Sequence, residues 1–290
     1  VLVKKPEDYL IYTAITVFSA VGSNLLNFIH ARNFVHIRLT TNTNLKHHLK
    51  PILIIFASAI AVTIYVSSDT TILGLLKNDY AVGIYSTSVK IYQIAQSLLS
   101  ALLTVTIPRL AFLWGQRRIG EYNQVLSKVV DSLGILVLPA AVGLIMLSRE
   151  VVLIIASEKY LPSVNSLRII SWAIIFSIFA WIFSDCVLIP AKRENLVLRN
   201  TIITAIENII LNFILIPFMS YDGTALSTVL AEFTVMIMNG YSCRDIIKPV
   251  IFKKDTLKNL LDSIIGCIGI VVICLLCDIG FKSLWLKTIF

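Results

Sequence analysis

The sequence predicts an all-α protein, a polytopic bundle of transmembrane helices. Hydrophobic residues make up 57% of its 290 residues and charged residues only 14%, whereas about 25% of an average soluble domain is charged. Apolar runs of about 18 to 25 residues recur along the whole chain, and each is long enough for a helix to cross a hydrocarbon core of about 30 Å. These runs are continuously apolar and do not alternate with polar residues, which favours helices over strands.

Eight spans can be placed in order along the chain. They lie near residues 9–30, 51–76, 81–107, 132–148, 166–190, 196–218, 223–243 and 260–280. A ninth span is expected to begin at "SLWLKTIF" and to be truncated after Phe290. The chain starts at Val1 and its first span is expected to run from outside to inside, so a preceding stretch is also expected.

Alternate connections between the spans differ in basic charge. Lysines and arginines are about twice as frequent in the connections around 31–50, 108–131, 191–199 and 244–258 as on the opposite side. Because the more basic connections stay in the cytoplasm, this bias predicts the orientation of every span. The net charge of +8 is therefore interpreted as a topology signal, and no nucleic-acid partner is expected.

No sequence pattern favours an enzyme, a metal site or a cofactor. The sequence lacks a nucleophile elbow, a P-loop and a dinucleotide fingerprint. Cys274 and Cys277 have C-x-x-C spacing but lie within an apolar span, where cysteines usually serve as small packing residues. We therefore expect a protein that is not an enzyme, binds no metal and needs no cofactor.

Two charged residues lie where membrane-spanning helices are predicted. Lys90 is about nine residues into the third span, roughly 14 Å along its axis, and Asp69 lies near the outer end of the second span. A charge at bilayer depth costs about 2.5 to 3.5 kcal/mol, so it normally faces a cavity or a partner. Ser86, Gln93 and Ser97 extend a polar stripe from Lys90. Two interpretations stay open: a stripe that faces an anionic substrate, or a buried Asp69–Lys90 pair that holds two helices together.

The sixth span carries a second polar stripe. Four of its residues share one face at helical spacing, namely Asn200, Thr204, Asn208 and Asn212. Glu207 lies beside them near mid-membrane, and Asp185 and Glu232 add carboxylates in the fifth and seventh spans. A lined pathway would explain this register, with Glu207 as the first candidate for coupling to an ion or proton and Asp185 and Glu232 as the others. Packing between helices is the alternative explanation.

Two segments carry a resemblance to a known family. "VGIYSTSVKIYQIAQSLLSALLTVTIPRL" and "NIILNFILIPFMSYDGTALSTVLAE" resemble segments of the polysaccharide flippases of the O-antigen and capsule type. These flippases belong to the multidrug/oligosaccharidyl-lipid/polysaccharide exporter superfamily. The first segment has the family's residues in the family's order: Gly83, Tyr85, Lys90, Pro108 and Arg109. The second departs from the pattern at residues 219–222, where relatives often have a glycine ahead of the Gly-x-Ala turn that starts at Gly223.

The resemblance covers essentially the whole chain and implies a domain organisation. Flippases of this family resemble one another in having two six-helix lobes around a central cavity. Residues 1–50 would hold the last transmembrane helix of the N-terminal lobe and the cytoplasmic connection between the lobes. Residues 51–248 would form the C-terminal lobe, and residues 249–290 an additional, truncated helical region. The partner of this chain would then be the missing N-terminal lobe of the same protein.

The resemblance also implies a function. Such flippases move undecaprenyl-pyrophosphate-linked oligosaccharide repeat units across the bacterial inner membrane for surface polysaccharide biosynthesis, by a rocking of the two lobes within the membrane lipids. On this basis Lys90 would contact phosphate or sugar and Asp69 would tune Lys90. Gln93, Asn208 and Asn212 would line the route.

Other functions stay open at this stage. A drug/cation antiporter or a peptidoglycan-precursor flippase of the same superfamily would have the same fold, although Lys90 argues against a cationic cargo. A membrane polysaccharide polymerase or ligase would need a long outer loop with catalytic residues, which the sequence lacks. A purely structural membrane protein would leave both polar stripes unexplained.

Overall fold

The computed structural model describes residues 9–33, 45–251 and 253–280. Its regular elements there are all helical, which confirms the predicted class. In order they are α1 (Tyr9–Arg32), α2 (Leu45–Leu76), α3 (Asp79–Gly115), α4 (Ile119–Met146), α5 (Ser148–Ile155), α6 (Ser163–Trp181), a π-helical segment (Ile182–Leu188), α7 (Glu194–Met219), α8 (Tyr221–Ser242), α9 (Arg244–Ile251) and α10 (Lys254–Gly280). A short 3₁₀ turn (Glu158–Tyr160) precedes α6.

Five segments of the described chain are long and apolar enough to cross a membrane. They are Thr13–Arg32, Asp79–Gly115, Ile119–Met146, Ser163–Leu188 and Glu194–Met219. The protein is therefore a multi-pass membrane protein, but the predicted count of eight spans is not confirmed. Helices α2, α8 and α10 occupy the other three predicted positions, and the described part of α10 contains a shorter apolar stretch, Leu261–Leu276. The predicted ninth span lies outside the described residues.

The chain divides into two compact units, Val1–Leu49 and Lys50–Phe290. In the first unit, α1 exposes apolar side chains such as Phe18 and Leu26. In the second unit, most of the buried apolar side chains come from α3, α4, α6 and the π segment, and they include Leu133 and Ile174. The described faces of α3 and α10 that point away from this core are exposed and apolar, as expected for surfaces that face lipid.

Local sequence explains where several helices begin and end. The side chain of Asn78 caps α3 by accepting a hydrogen bond from the backbone N–H of Ala81 at 2.9 Å. The turn between α7 and α8 has Ser220 at a positive φ of 53°. Gly223 follows, and an added Cβ there would lie 2.7 Å from the carbonyl oxygen of Leu215. The chain has no glycine at Ser220 to relieve the turn, but the turn forms nevertheless.

The second unit has two ends, which we name by residues that lie there. At the Asn78 end, α2 and α7 finish while α3, α6 and α8 begin. At the Arg193 end, α3, α8 and the π segment finish while α7 begins. The depth of a residue in the bundle is its distance along the helix axis from one of these ends.

Candidate functional site

A cavity of about 610 Å³ lies inside the second unit. Its wall is built by α2, α3, α6 with the π segment, α7 and α8. Polar side chains come from every one of these elements, and they include Asp69, Tyr92, Gln93, Asp185, Thr204 and Glu232. Polar side chains that converge inside a bundle of membrane-spanning helices mark a functional site, because they are costly where they meet only lipid.

Asp69 is the centre of a hydrogen-bond network at the Asn78 end of the cavity. Its side chain is buried, with 4% of its surface exposed. Asn212 donates to Asp69 Oδ1 at 2.6 Å, while Tyr85 and Thr228 donate to Oδ2 at 3.1 and 2.8 Å. The network therefore ties α2 to α3, α7 and α8 through uncharged donors.

The four residues of this network meet because they lie at one depth. Each is about seven residues from the Asn78 end of its own helix, which corresponds to roughly 10 Å along the axis. Two of the helices run toward this end and two run away from it. The contact thus follows from antiparallel packing of helices that begin or end at the same level.

The predicted pair of Asp69 with Lys90 is wrong. The carboxylate of Asp69 instead accepts hydrogen bonds from Tyr85, Asn212 and Thr228. Lys90 is exposed, does not line the cavity, and forms no ion pair with any residue in the described ranges. It lies on α3 one turn from Gln93, which does line the cavity.

The face of α3 that lines the cavity lies beside the polar stripe that the sequence predicted around Lys90. Its members are Tyr85, Val89, Tyr92, Gln93 and Gln96. Apart from Gln93, they precede the stripe of Ser86, Lys90 and Ser97 by one residue, which corresponds to a rotation of about 100° on a helix. The missed signal was the helical spacing of Tyr85, Tyr92 and Gln96, two aromatic residues and an amide on one face of α3.

The asparagines of the α7 stripe mainly form hydrogen bonds to neighbouring helices. Asn208 and Asn212 are fully buried and do not line the cavity. Asn212 donates to Asn208 Oδ1 at 3.1 Å and accepts from Ser227 of α8 at 2.6 Å. Asn200 donates to Asn239 of α8 at 2.9 Å. Packing, the alternative that the sequence left open, accounts for these three asparagines.

The three carboxylates considered for coupling have different locations. Glu207 lies between α7 and α8, accepts a hydrogen bond from Thr234 at 2.9 Å, and does not line the cavity. Asp185 and Glu232 do line it. Asp185 belongs to the π segment and accepts from the adjacent Ser184 at 2.9 Å. π-helical turns are frequent at functional sites, but apolar periodicity gives no signal that distinguishes them from an α-helix.

Two hydrogen-bonding atoms beside the Asp69 network are unsatisfied. Within the described residues, Asn208 Nδ2 and Thr224 Oγ1 are buried without a hydrogen-bond partner. In the same ranges no group of three or more His, Cys, Asp or Glu side chains is arranged to hold a metal ion. The chemistry of this end is therefore that of one carboxylate surrounded by amides and hydroxyls.

Membrane-spanning helices around a polar cavity define the protein as a multi-pass membrane protein with an internal site. A family profile described as "Polysaccharide biosynthesis protein" matches residues 9–165, more than half of the chain. The chain belongs to this polysaccharide biosynthesis family.

A solved structure shares the fold. It is "Lipid II flippase MurJ, inward closed conformation", with a TM-score of 0.67 and 18% sequence identity. The similarity covers 93% of this chain and 57% of that one, so this chain spans little more than half of its length. Among the curated proteins, none matches this chain. The predicted resemblance is thus confirmed for membership of a polysaccharide biosynthesis family and for the fold.

Proposed function

We propose that this chain forms part of a flippase that moves undecaprenyl-pyrophosphate-linked oligosaccharides across the bacterial inner membrane for surface polysaccharide biosynthesis. The observation that carries the proposal is the cavity of about 610 Å³, whose wall combines apolar side chains with carboxylates, amides and hydroxyls. Membership of the polysaccharide biosynthesis family and the fold of a lipid II flippase support it. The flippase would be completed by an N-terminal lobe ahead of residue 51.

Lys90 is proposed to contact the pyrophosphate. Its side chain is exposed on α3 and forms no ion pair with a described residue, so its charge is available to an anionic group. A pyrophosphate cannot enter the hydrocarbon region without such compensation. Gln93, one turn away, lines the cavity and is proposed to bind the sugar that adjoins the phosphate.

Asp69 is proposed as the residue that couples transport to a proton or a small cation. A buried carboxylate without a basic partner is unfavourable as an anion. The donors that surround Asp69 are all uncharged, so a bound proton or cation would neutralise it. This argument favours Asp69 over Glu207, which lies outside the cavity. Asp185 and Glu232 remain within reach of any cargo in the cavity.

The test uses the full-length parent protein in a strain that lacks its own O-antigen or capsule flippase. Surface polysaccharide is compared for wild type, Lys90→Ala and Lys90→Arg at matched membrane abundance. We expect Lys90→Ala to reduce export at least tenfold and Lys90→Arg to restore it in part. Lys159→Ala is the matched control, because Lys159 is also exposed but lies in the 3₁₀ turn outside the cavity.

Normal export by both Lys90 variants would remove the phosphate role of this residue. Failure of the wild-type protein to restore any polysaccharide would instead count against the proposed cargo. The fold of the lipid II flippase favours one second candidate, a flippase for a peptidoglycan precursor. Rescue of a strain depleted of its lipid II flippase distinguishes the two cargoes.

The lining of the cavity favours another candidate, a drug/cation antiporter. Three carboxylates, Asp69, Asp185 and Glu232, line the cavity together with tyrosines, and such a wall suits a cationic amphiphile. Efflux of ethidium from cells that express the full-length protein measures this activity. Ethidium efflux without polysaccharide rescue would replace the flippase proposal.

A further inference from the structure

The cavity has a one-sided charge. The acidic side chains that line it are Asp69, Asp185 and Glu232, from α2, the π segment and α8. Among the described residues, no lysine, arginine or histidine lines it. Lys90, which we assign to the pyrophosphate, lies outside it on the exposed side of α3.

The rest of the wall combines apolar side chains with a few hydrogen-bonding groups and an aromatic ring, a combination that suits sugars. Its volume of about 610 Å³ is within the range of about 300 to 1,000 Å³ typical of small-molecule sites. Gln93, Gln96 and Thr201 offer both donors and acceptors, and Trp181 presents an aromatic ring to the same space. Sugars have hydroxyl groups that donate and accept, and C–H faces that pack on aromatic rings.

The Asp185 carboxylate has acceptor positions to spare. An ionised carboxylate accepts about four hydrogen bonds, whereas Asp185 accepts one, from Ser184. Sugar hydroxyls are the donors that would fill the remaining positions. A uronic or sialic acid would instead bring another negative charge close to these carboxylates, and like charges at short range repel.

We propose that this cavity binds the sugar residues of the cargo that carry no negative charge, and that Asp185 and Glu232 make it reject acidic sugars. The inference rests on the proposed flippase function and adds to it a substrate class. It also divides the cargo between two places on α3: phosphate at the exposed Lys90 and sugar at Gln93, one turn away inside the cavity.

The first test measures flipping by the full-length protein in liposomes. The probes are undecaprenyl-pyrophosphate-linked trisaccharides, one of three neutral hexoses and one with a uronic acid in place of one hexose. We expect the wild-type protein to flip the neutral probe at least tenfold faster. The double variant Asp185→Asn with Glu232→Gln should narrow this ratio to about threefold or less. Glu207→Gln, which changes a carboxylate outside the cavity, should keep the wild-type ratio.

Equal rates for the two probes in the wild type would overturn the inference while leaving the flippase intact. If neither probe is flipped, the proposed function fails, and a binding measurement then decides the inference alone. Free neutral and acidic trisaccharides are titrated against the purified full-length protein, and tryptophan fluorescence is followed. Saturable quenching by the neutral sugar only, absent in Trp181→Phe, supports the cavity as a sugar site. Equal quenching by both sugars, or none by either, contradicts it.

Discussion

The carboxylates at the two ends of the cavity differ in burial and in hydrogen-bond partners. At the Asn78 end, Asp69 is buried and accepts hydrogen bonds from Tyr85, Asn212 and Thr228 on three other helices. Toward the Arg193 end, Asp185 is half-buried and accepts from its own neighbour, Ser184. A carboxylate held by three helices fixes how those helices pack. One that keeps free acceptor positions is available to a ligand.

Other contacts reinforce the same contrast. At the Asn78 end, Lys77 Nζ donates to the backbone oxygen of Pro217 at 3.0 Å and so joins α2 to α7. Asn165 and Ser166 of α6 both donate to Asp222 of α8 at 2.6 Å. This end is therefore closed by polar contacts between helices, and we expect it to move as one body during transport.

The largest effect is expected from Asp69→Ala. The change leaves the donors of Tyr85, Asn212 and Thr228 without their acceptor in a buried position, at about 1 to 3 kcal/mol for each group that stays unsatisfied. We expect the protein to lose about 3 kcal/mol of stability and its transport activity. Thermal unfolding of the purified full-length protein in detergent measures the first, and polysaccharide export measures the second.

Asp185→Ala is the matched variant for this comparison. It removes one bond, between adjacent residues, so we expect it to cost less than about 1 kcal/mol. Asp69→Asn separates packing from coupling, because it keeps an acceptor but removes the charge. It should retain most of the stability and lose the dependence of transport on a proton or cation gradient. Equal loss of stability in Asp69→Ala and Asp185→Ala would contradict the contrast between the two ends.

The sequence predicted the class of fold because apolar length alone distinguishes membrane-spanning helices. It also singled out Asp69, Asp185 and Glu232, which the structure places in the wall of one cavity. It did not predict which faces meet, since the rotation of each helix is set by its neighbours. The face of α3 that meets α2 is therefore offset by about 100° from the predicted one, and Tyr85, not Lys90, contacts Asp69. The π segment that carries Asp185 also has no sequence signal in the apolar pattern.

A smaller effect is expected from Gly223→Ala in the turn that closes the Asn78 end. The new Cβ would lie 2.7 Å from the carbonyl oxygen and 2.8 Å from the carbonyl carbon of Leu215. Because backbone atoms cannot swing aside as a side chain can, α7 and α8 must separate. We expect a loss of about 2 kcal/mol, in the range for overpacked sites, measured by thermal unfolding in detergent.

Gly143→Ala in α4 is the control for this substitution. No atom lies within 4 Å of its added Cβ, and alanine is favoured over glycine inside a helix by about 1 kcal/mol. The two Gly→Ala changes should therefore shift the melting temperature in opposite directions. A stabilised Gly223→Ala protein would show that the turn at this end is loose, not closed.

The smallest effect is expected at the Arg193 end, where an ion pair joins the start of α7 to α9. Arg193 donates two hydrogen bonds to Asp245, at 2.8 and 2.6 Å, and these bonds lower the pKa of the Asp245 carboxyl below its ordinary value of 3.8. A lowered pKa means that the pair stabilises the fold above about pH 4 and that this contribution is lost as the pH falls. The side chains are 35% and 54% exposed, so the contribution should be under about 1 kcal/mol and should weaken with salt. Melting temperatures of wild type and Asp245→Asn should therefore differ by about 1 to 3 °C at pH 7 and converge toward pH 3.

A difference that persists at pH 3 or in high salt would contradict this prediction. It would mean that Asp245 stabilises the Arg193 end by packing and not by charge.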